Sequence, residues 1–354
     1  MAVTADYRLG PNAFPRGWFM VAASSEVTSV PLAVRYFGQD LVLYRGASGR
    51  AYLVDAYCPH MGTHLAKNTT SYVVRDKIQV EGDSIRCPYH AWRFGPDGRC
   101  NQIPYHDGKI PSAAKLKTWL LEERYGCLYT WHDIEGGEPD FALPAIPEWD
   151  DTHYVHWQID QLGVLPSHPI ELVDNMADVA HLGPTHGGSP VYFHNEIEGV
   201  VVRQRQGAPH RSLQVGVMLE TDTFYTGPGI LLSYFNGGAA IMYIAHTPVD
   251  DGSVKAWHGL LTRSPNAQPT AQDIENARAA QAGSLAAFAQ DFEIWANKRP
   301  CINPLAVQSD GPYDKVRTWY RQFYNERAQA RDFQARASGF YTIKGLPSHN
   351  PRAA

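Results

Sequence analysis

Two features that mark common functional classes are missing from this sequence: an excess of positive charge and a long apolar run. The 354 residues include 31 Lys and Arg against 36 Asp and Glu, a formal net charge of −5, and no basic cluster stands out. Because a polyanion needs a basic surface, nucleic-acid binding is disfavoured. No run of about 18 apolar residues is present, and the N-terminus lacks a basic segment followed by an apolar one. We therefore expect a cytoplasmic protein without a membrane span.

Cysteine is also scarce. The chain has five cysteines, an odd number without a secretory signal: Cys58, Cys87, Cys100, Cys127 and Cys301. Disulfide frameworks belong to oxidising compartments and pair their cysteines. We therefore expect these residues to bind metal or to be simply buried.

The length and the turn pattern indicate two domains. From 15 to 135, short alternating strand-like runs are separated by glycine-containing turns, which predicts a small antiparallel β domain. The Gly-, Pro- and Glu-rich stretch 136–147 predicts a linker. Residues 136–354 mix helical and strand patterns, and residues 1–14 are expected to pack on them. The predicted fold class is therefore α+β.

Three elements are predicted in the second domain. Residues 171–182 have a helical pattern that Gly183-Pro184 should end, because proline disfavours helical geometry at the preceding residue. Strands are predicted over 199–261. A long helix is predicted over 270–298, with Thr270 as its N-cap and its end before Pro300.

Two short motifs each combine a cysteine with a histidine. Cys58-x-His60 and Cys87-x-x-His90 are short enough for both side chains of a motif to reach one centre. Four such ligands suit a tetrahedral zinc ion or a [2Fe–2S] cluster in which two histidines bind one iron. Structural zinc sites usually pair like ligands, whereas each motif here mixes them. The mixed pairing favours the iron–sulfur cluster, with zinc as the alternative.

Segments 58–62 (CPHMG) and 87–94 (CPYHAWRF) resemble the Rieske domain of ring-hydroxylating, non-haem iron oxygenases. The resemblance implies a [2Fe–2S] cluster bound by Cys58, His60, Cys87 and His90. In this family the two motifs are usually separated by a shorter segment than residues 61–86, which separate them here. We expect residues 69–79 of this longer connection to form an extended hairpin.

A second group of ligands lies in the segment 174–186. Asp178 and His181 are three residues apart, which places them on one face of a helix. His186 lies beyond Gly183-Pro184, where a turn of the chain can bring its ring back towards His181. Two histidines and one carboxylate leave three positions of a mononuclear Fe(II) open, the facial triad of non-haem oxygenases.

Asp291 is the predicted carboxylate ligand. It flanks an apolar stripe on the long helix, formed by Leu285, Phe288, Phe292 and Trp295. A carboxylate beside a buried aromatic stripe is costly unless its charge is compensated, and an iron ion would compensate it. A partly exposed acid on an amphipathic helix is the alternative.

The family resemblance also implies two catalytic roles. Asp178 would be a bridging carboxylate that hydrogen-bonds to His181 and to His90 of the partner subunit, which makes it an electron bridge as well as a support for the ligand. Asn175 would lie near the iron without binding it tightly.

Segments 92–105, 290–295, 310–312 and 319–324 resemble the oxygenase component of 3-ketosteroid 9α-hydroxylase, and the likeness covers most of the chain. It implies a homotrimer in which each cluster serves the iron of its neighbour. It also implies a catalytic domain of the helix-grip type, an antiparallel sheet covered by helices. Electrons would come from NAD(P)H only through a separate ferredoxin reductase, with or without a ferredoxin.

The expected function is that of the terminal oxygenase component of a multicomponent Rieske monooxygenase. It would hydroxylate a large hydrophobic, steroid-like substrate with O2 and electrons from the reductase. An apolar pocket is expected near Met176, Tyr192, Phe193, Met242, Tyr243, Phe288 and Trp295. Desaturation or dealkylation of a non-steroid substrate would use the same oxidant. An electron-transfer protein or a zinc-binding module is the alternative from another class.

Overall fold

The chain divides into two compact units. The computed structural model describes residues 1–211, 214 and 216–346. One unit is Met20–Trp131, and the other joins Met1–Phe19 to the chain from His132 onward. The sequence places its domain boundary at 135/136, a few residues from this division. Residues 347–354 of the predicted second domain lie outside the described residues.

The Met20–Trp131 unit is built on three small sheets, whose described registers are all antiparallel. Their strands are β1 (Gly17–Ala23), β2 (Leu32–Tyr36), β3 (Gln39–Arg45), β4 (Ala51–Asp55), β5 (Val80–Glu81), β6 (Ser84–Arg86), β7 (Arg93–Phe94), β8 (Cys100–Gln102), β9 (Thr118–Trp119), β10 (Leu121–Arg124) and β11 (Cys127–His132). The strand orders are β1-β11-β10, β2-β3-β4-β9 and β5-β6-β7-β8. Cys58 and Cys87 belong to the same buried cluster as Leu65 and Phe94. Both cysteines are therefore buried in an apolar core.

The hairpin predicted over 69–79 is wrong. This segment contains the one-turn helix α1 (Tyr72–Arg75), and strand pairing begins only at Val80. The side-chain oxygen of Asn68 accepts a hydrogen bond from the backbone N–H of Ser71 at 3.0 Å. Such an asparagine turn competes with an extended strand, which explains why the segment turns instead.

The second unit contains a nine-stranded sheet whose described pairs are all antiparallel. Its strands are β12 (Tyr154–Val155), β13 (Asp160–Leu165), β14 (Tyr192–Glu198), β15 (Val201–Pro209), β16 (Met218–Thr226), β17 (Ile230–Phe235), β18 (Ala240–Pro248), β19 (Val254–Arg263) and β20 (Gly339–Thr342). The order is β12-β19-β18-β17-β16-β15-β14-β20, and β13 also pairs with β19. The α+β fold class with an antiparallel sheet and helices is confirmed.

The helices of this unit are α2 (Ile170–Val173), α3 (Ala271–Asn297), α4 (Tyr313–Arg321) and α5 (Ala330–Ala337). The long helix α3 begins as predicted, because the Thr270 hydroxyl accepts from the Asp273 N–H and the Asp273 carboxylate accepts from the Thr270 N–H. Ser284 of α3 hydrogen-bonds to His258 of β19 at 2.9 Å, which fixes the helix to the sheet. Among the described residues, no helix is both long and apolar enough to cross a membrane.

The continuous helix predicted over 171–182 is also wrong. The chain forms α2, a 3₁₀ turn at Asp174–Met176, and then a single π-helical turn at Leu182–His186. Pro184 lies inside this turn instead of ending a helix. In the first turn of a helix the backbone N–H has no partner within the helix, so proline costs little there. His181 and His186 are therefore held at the two ends of one wide turn.

The loop before α4 lies directly on the backbone of the segment that contains these histidines. A Cβ atom on Gly311 would lie 1.9 Å from the carbonyl oxygen of Ala177, so only glycine allows this approach. The approach places Tyr313 beside Asp178.

Candidate metal sites and cavity

Cys58 and Cys87 begin two loops with the same hydrogen-bond pattern. The N–H of Gly62 donates to the carbonyl of Cys58 at 2.9 Å, and the N–H of Ala91 donates to that of Cys87 at 3.1 Å. Both donors have left-handed backbone, with φ of 71° and 58°. This conformation is unfavourable for alanine, so its surroundings must hold the second loop in place. The two loops therefore present their cysteine and histidine in matching ways.

Like ligands face each other across these loops. The two thiols hydrogen-bond to each other, which raises the pKa of Cys58 and lowers that of Cys87 to about 6. The rings of His60 and His90 lie 4.7 Å apart, centroid to centroid. A Rieske cluster needs two thiolates on one iron and two imidazoles on the other. The donor set and its arrangement fit this cluster.

Two aromatic side chains support the histidines. Trp92 stacks on His60 with centroids 4.4 Å apart and planes 8° apart, and its indole N–H donates to the Tyr105 hydroxyl at 2.7 Å. Tyr89 lies against His90 with centroids 3.8 Å apart. No role was predicted for Tyr89 or Trp92, although their position beside the ligands in the CPYHAW motif is a usable signal.

The structure brings His181, His186 and Asp291 together. One ligand atom from each residue lies within 4.8 Å of the other two. His186 Nε2 is 3.2 Å from one carboxylate oxygen of Asp291, and His181 Nε2 is 4.0 Å from the other. Asp291 is 9% exposed, which argues against a solvated acid. These three side chains form the two-histidine, one-carboxylate arrangement of a mononuclear Fe(II) site.

The outer nitrogens of both histidines also have acceptors. His186 Nδ1 lies 3.0 Å from the Gln290 side-chain oxygen, and His181 Nδ1 lies 2.6 Å from the Asp178 carbonyl. These acceptors favour protonated Nδ1 atoms and leave both Nε2 lone pairs directed at the metal position. Burial lowers the pKa of His186, but Asp291 and Gln290 outweigh it and raise the pKa above its usual value. No role was predicted for Gln290 from the sequence.

Asp178 lies beside the triad and not in it. One carboxylate oxygen is 3.6 Å from His181 Nδ1, and the other accepts from the His181 backbone N–H at 3.3 Å. Burial raises the pKa of Asp178, but hydrogen bonds from His181 and from the Tyr313 hydroxyl lower it below its usual value. The carboxylate is therefore ionised next to His181, a candidate metal ligand. The contact with His90 of the partner subunit stays a prediction.

A cavity of about 520 Å³ opens onto the triad. Its apolar lining includes Leu172, Met176, Leu182, Leu219, Leu231, Met242, Ile244, Leu260, Phe288 and Trp295. Asn175 also lines the cavity, as do His181, His186 and Asp291. The cavity can hold a large apolar molecule against the metal position.

Three of the seven predicted pocket residues do not line this cavity. Phe193 is fully buried and packs with Val179 and Ile343. Tyr243 stacks on Trp157, with ring centroids 5.0 Å apart. The Tyr192 hydroxyl donates to Glu220 at 3.2 Å. Successive residues of a strand point to opposite faces, so Tyr243 points away from the cavity that its neighbour Met242 lines.

Two family models match the chain. The Rieske [2Fe-2S] domain matches residues 17–119, and the 3-Ketosteroid 9alpha-hydroxylase C-terminal domain matches residues 130–324. Together with the cluster loops and the triad, these matches define the chain as a Rieske-type oxygenase, an oxidoreductase that carries a [2Fe–2S] cluster.

Whole-length relatives narrow the family further. A probable 3-ketosteroid-9-alpha-monooxygenase oxygenase component from Rhodococcus rhodochrous is 34% identical, covering 91% of this chain and 82% of its own. The corresponding component from Mycolicibacterium smegmatis is 32% identical, covering 89% and 83%. Cholesterol 7-desaturase from Caenorhabditis elegans is 28% identical, covering 90% and 78%. The chain belongs to the family of 3-ketosteroid 9α-monooxygenase oxygenase components, which work with a separate reductase.

Solved structures share the fold. Dicamba monooxygenase bound to dicamba has a TM-score of 0.69 at 16% identity, covering 91% of this chain and 97% of its own. NdmA of Pseudomonas putida, solved with caffeine, has a TM-score of 0.68 at 18% identity, covering 94% and 97%. At these identities the likeness shows the fold alone.

Proposed function

We propose that this chain hydroxylates a large, rigid, steroid-like substrate with O2 and electrons from its reductase. The observation that carries the proposal is the cavity of about 520 Å³, which joins an apolar wall to the His181–His186–Asp291 triad. Pockets of about 300 to 1,000 Å³ accommodate ligands of drug size. The relatives add support, since two are named for 3-ketosteroids and a third for cholesterol.

In this proposal each metal group has its own ligands. The [2Fe–2S] cluster would be bound by Cys58, His60, Cys87 and His90, and the mononuclear Fe(II) by His181, His186 and Asp291. When bound, the cluster would supply electrons one at a time and the Fe(II) would provide the site of O2 activation, so that with two electrons and two protons one oxygen atom would enter a C–H bond and the other would leave as water. The protein holds the two Nε2 atoms and the Asp291 carboxylate close together, and the apolar wall would exclude water from the substrate.

Asp178 is the proposed link between subunits. Its side chain is 28% exposed while it hydrogen-bonds to His181, so part of the carboxylate is accessible to another chain. In a head-to-tail homotrimer, His90 of the partner subunit would complete this bridge, and each cluster would serve its neighbour's iron. We also propose a cytoplasmic location, because reduced nicotinamide is available there to a ferredoxin reductase, with or without a ferredoxin.

Desaturation is the second candidate reaction. It is favoured by the 28% identity to cholesterol 7-desaturase over most of both chains. Removal of two hydrogens instead of oxygen insertion requires no change in the triad. The two reactions differ in the product, because hydroxylation under ¹⁸O2 adds one labelled oxygen and desaturation adds none. Dealkylation of a non-steroid substrate would release a smaller product that carries no steroid ring.

The test combines metal analysis with product analysis. We expect a Rieske-type electron paramagnetic resonance signal after dithionite reduction and about three irons per chain, two in the cluster and one mononuclear. With a reductase, NADH and ¹⁸O2, steroid substrates should give a singly labelled alcohol, and the His186→Ala variant should keep the signal but form no product. Zinc without the signal would favour a zinc-binding module. Full metal loading without product from any steroid would refute the proposed substrate class.

A further inference from the structure

The imidazole ring of His186 is held at both of its nitrogens by consecutive residues of α3. Its Nδ1 lies 3.0 Å from the side-chain oxygen of Gln290, and its Nε2 lies 3.2 Å from a carboxylate oxygen of Asp291. Gln290 is exposed, whereas Asp291 is buried and lines the cavity. One helix therefore contacts the ring on its solvent side and on its cavity side, and these contacts fix the direction in which the ring points.

The other histidine of the triad is supported in a different way. His181 Nδ1 lies 2.6 Å from the backbone carbonyl oxygen of Asp178, three residues earlier in the same segment. A backbone carbonyl only accepts hydrogen bonds, so this contact favours a proton on Nδ1. His186 depends instead on the Gln290 side chain, which lies 104 residues further along the chain. The two histidines therefore have a local and a distant support.

The amide of Gln290 can present either of two groups to His186 Nδ1. Its oxygen accepts the Nδ1 proton, which leaves the lone pair of Nε2 free. Its NH2 group would instead donate to Nδ1, and the proton of a neutral imidazole would then lie on Nε2. Only the first orientation lets Nε2 bind a metal, and it is the orientation in the structure.

The Asp291 carboxylate favours the wrong nitrogen before a metal binds. When ionised it only accepts hydrogen bonds, and at 3.2 Å from His186 Nε2 it would stabilise a proton there. A proton on Nε2 occupies the lone pair that the metal needs. The Gln290 oxygen offsets this effect, because it stabilises the same proton on Nδ1.

We propose that Gln290 is a positioning residue for the mononuclear metal: it holds the His186 proton on Nδ1 and so keeps Nε2 free to bind Fe(II). The inference rests on the ligand set of the proposed function and adds one residue to its support. Gln290 acts through His186 and is not itself a ligand. Because α3 supplies this acceptor, His186 becomes a good ligand only once the helix has packed beside it.

Competition with a chelator tests this without turnover. Anaerobic protein with a complete Rieske signal would be titrated with Fe(II) against a chromogenic chelator of known affinity, which gives the dissociation constant of the mononuclear site. Gln290→Leu removes the acceptor. It should weaken Fe(II) binding by about 10- to 100-fold, the usual effect of losing a hydrogen-bond partner of a metal-binding histidine.

Two further variants separate the acceptor from the shape of the side chain. Gln290→Glu keeps an acceptor on a side chain of the same length, so Fe(II) binding should stay within about threefold of the native value, measured in about 0.5 M salt to screen the added exposed charge. Gln272→Leu is the matched control, the same substitution at an exposed position of α3 about 27 Å away along the helix, and it should change nothing. The Rieske signal and the melting temperature confirm that each variant is folded.

Two outcomes would overturn the inference and leave the proposed metal site standing. Fe(II) binding by Gln290→Leu within about threefold of the native value would show that this acceptor is not needed. Equal weakening in Gln290→Leu and Gln290→Glu would show that the shape of the side chain, and not its acceptor, supports the site. A native protein that has the complete Rieske signal but binds no mononuclear Fe(II) would refute the proposed ligand set and the inference together.

Discussion

Replacing Asp178 by Asn should separate metal binding from catalysis. Asparagine keeps the size of the side chain and an acceptor for the His181 backbone N–H, but it removes the negative charge 3.6 Å from His181 Nδ1. The hydrogen bond from Tyr313 then loses its ionic partner. Groups that support a metal ligand typically contribute about 10- to 100-fold, or about 1.4 to 2.7 kcal/mol, to affinity or activity. We expect a loss of coupled turnover in this range or above it.

The assay compares iron content, the Rieske signal and the ratio of product formed to NADH consumed. Asp178→Asn should retain about three irons per chain when iron is in excess, while product per NADH falls. Glu293→Gln is the matched control, because Glu293 is an exposed acid two residues beyond Asp291. Turnover of Asp178→Asn within about twofold of the native protein would show that the charge at this position is not needed. Loss of the mononuclear iron would instead make Asp178 part of the metal site.

Further predictions concern the triad and the buried ion pairs. Asp291→Ala should lower the iron content from about three to about two per chain with an unchanged Rieske signal; an unchanged iron content would remove Asp291 from the ligand set. Arg317→Leu should lower the free energy of unfolding in urea by about 3 to 5 kcal/mol, because Asp174, only 7% exposed, loses its ion-pair partner 2.5 Å away. A loss below about 1 kcal/mol would contradict this expectation. Adding Asp174→Leu to the Arg317→Leu chain should recover most of the lost free energy of unfolding. Burial raises the pKa of Glu171, but the ion pair with Lys298 and the hydrogen bonds from the Tyr7 hydroxyl and the Cys301 backbone N–H together outweigh burial and hold the pKa below the usual value. The stabilisation that the Glu171 carboxylate provides is therefore complete above about pH 4.5 and is lost as pH falls through its lower folded-state pKa. Glu171→Gln should accordingly reduce the loss of stability at acid pH. An unaltered curve of stability against pH would exclude the Glu171 ion pair as a cause of that loss.

Local chemistry explains what could be predicted from the sequence. The start of α3 depends on Thr270 and Asp273, which are three residues apart, so the capping pattern is visible in the chain itself. The burial of Asp291 could be predicted because its spacing from Phe288 and Trp295 places it on the buried side of that helix. The mixed Cys–His motifs were informative for the same reason, since each motif is complete within four residues.

The wrong predictions depend on context that a local pattern does not contain. A proline ends a helix when several helical turns precede it, but it is tolerated in the first turn of a helix. The sequence alone does not show which of these positions Pro184 occupies. The prediction that Tyr243 lines the pocket depended on which face of β18 meets the cavity. A shift of the strand register by one residue moves every side chain to the opposite face of the sheet, so it decides whether Met242 or Tyr243 faces the cavity. The contact of Gln290 with His186 joins residues 104 positions apart, so Gln290 did not stand out in the sequence.

The metal triad also joins distant parts of the chain. His181 and His186 belong to one short turn, whereas Asp291 lies on α3, about a hundred residues further along. An ion bound by all three would act as a cross-link that closes a long loop and removes conformational freedom from the unfolded chain. Iron supply would then control the lifetime of the folded protein as well as its chemistry. Chelation should expose the end of α3 to proteases before it affects the Met20–Trp131 unit.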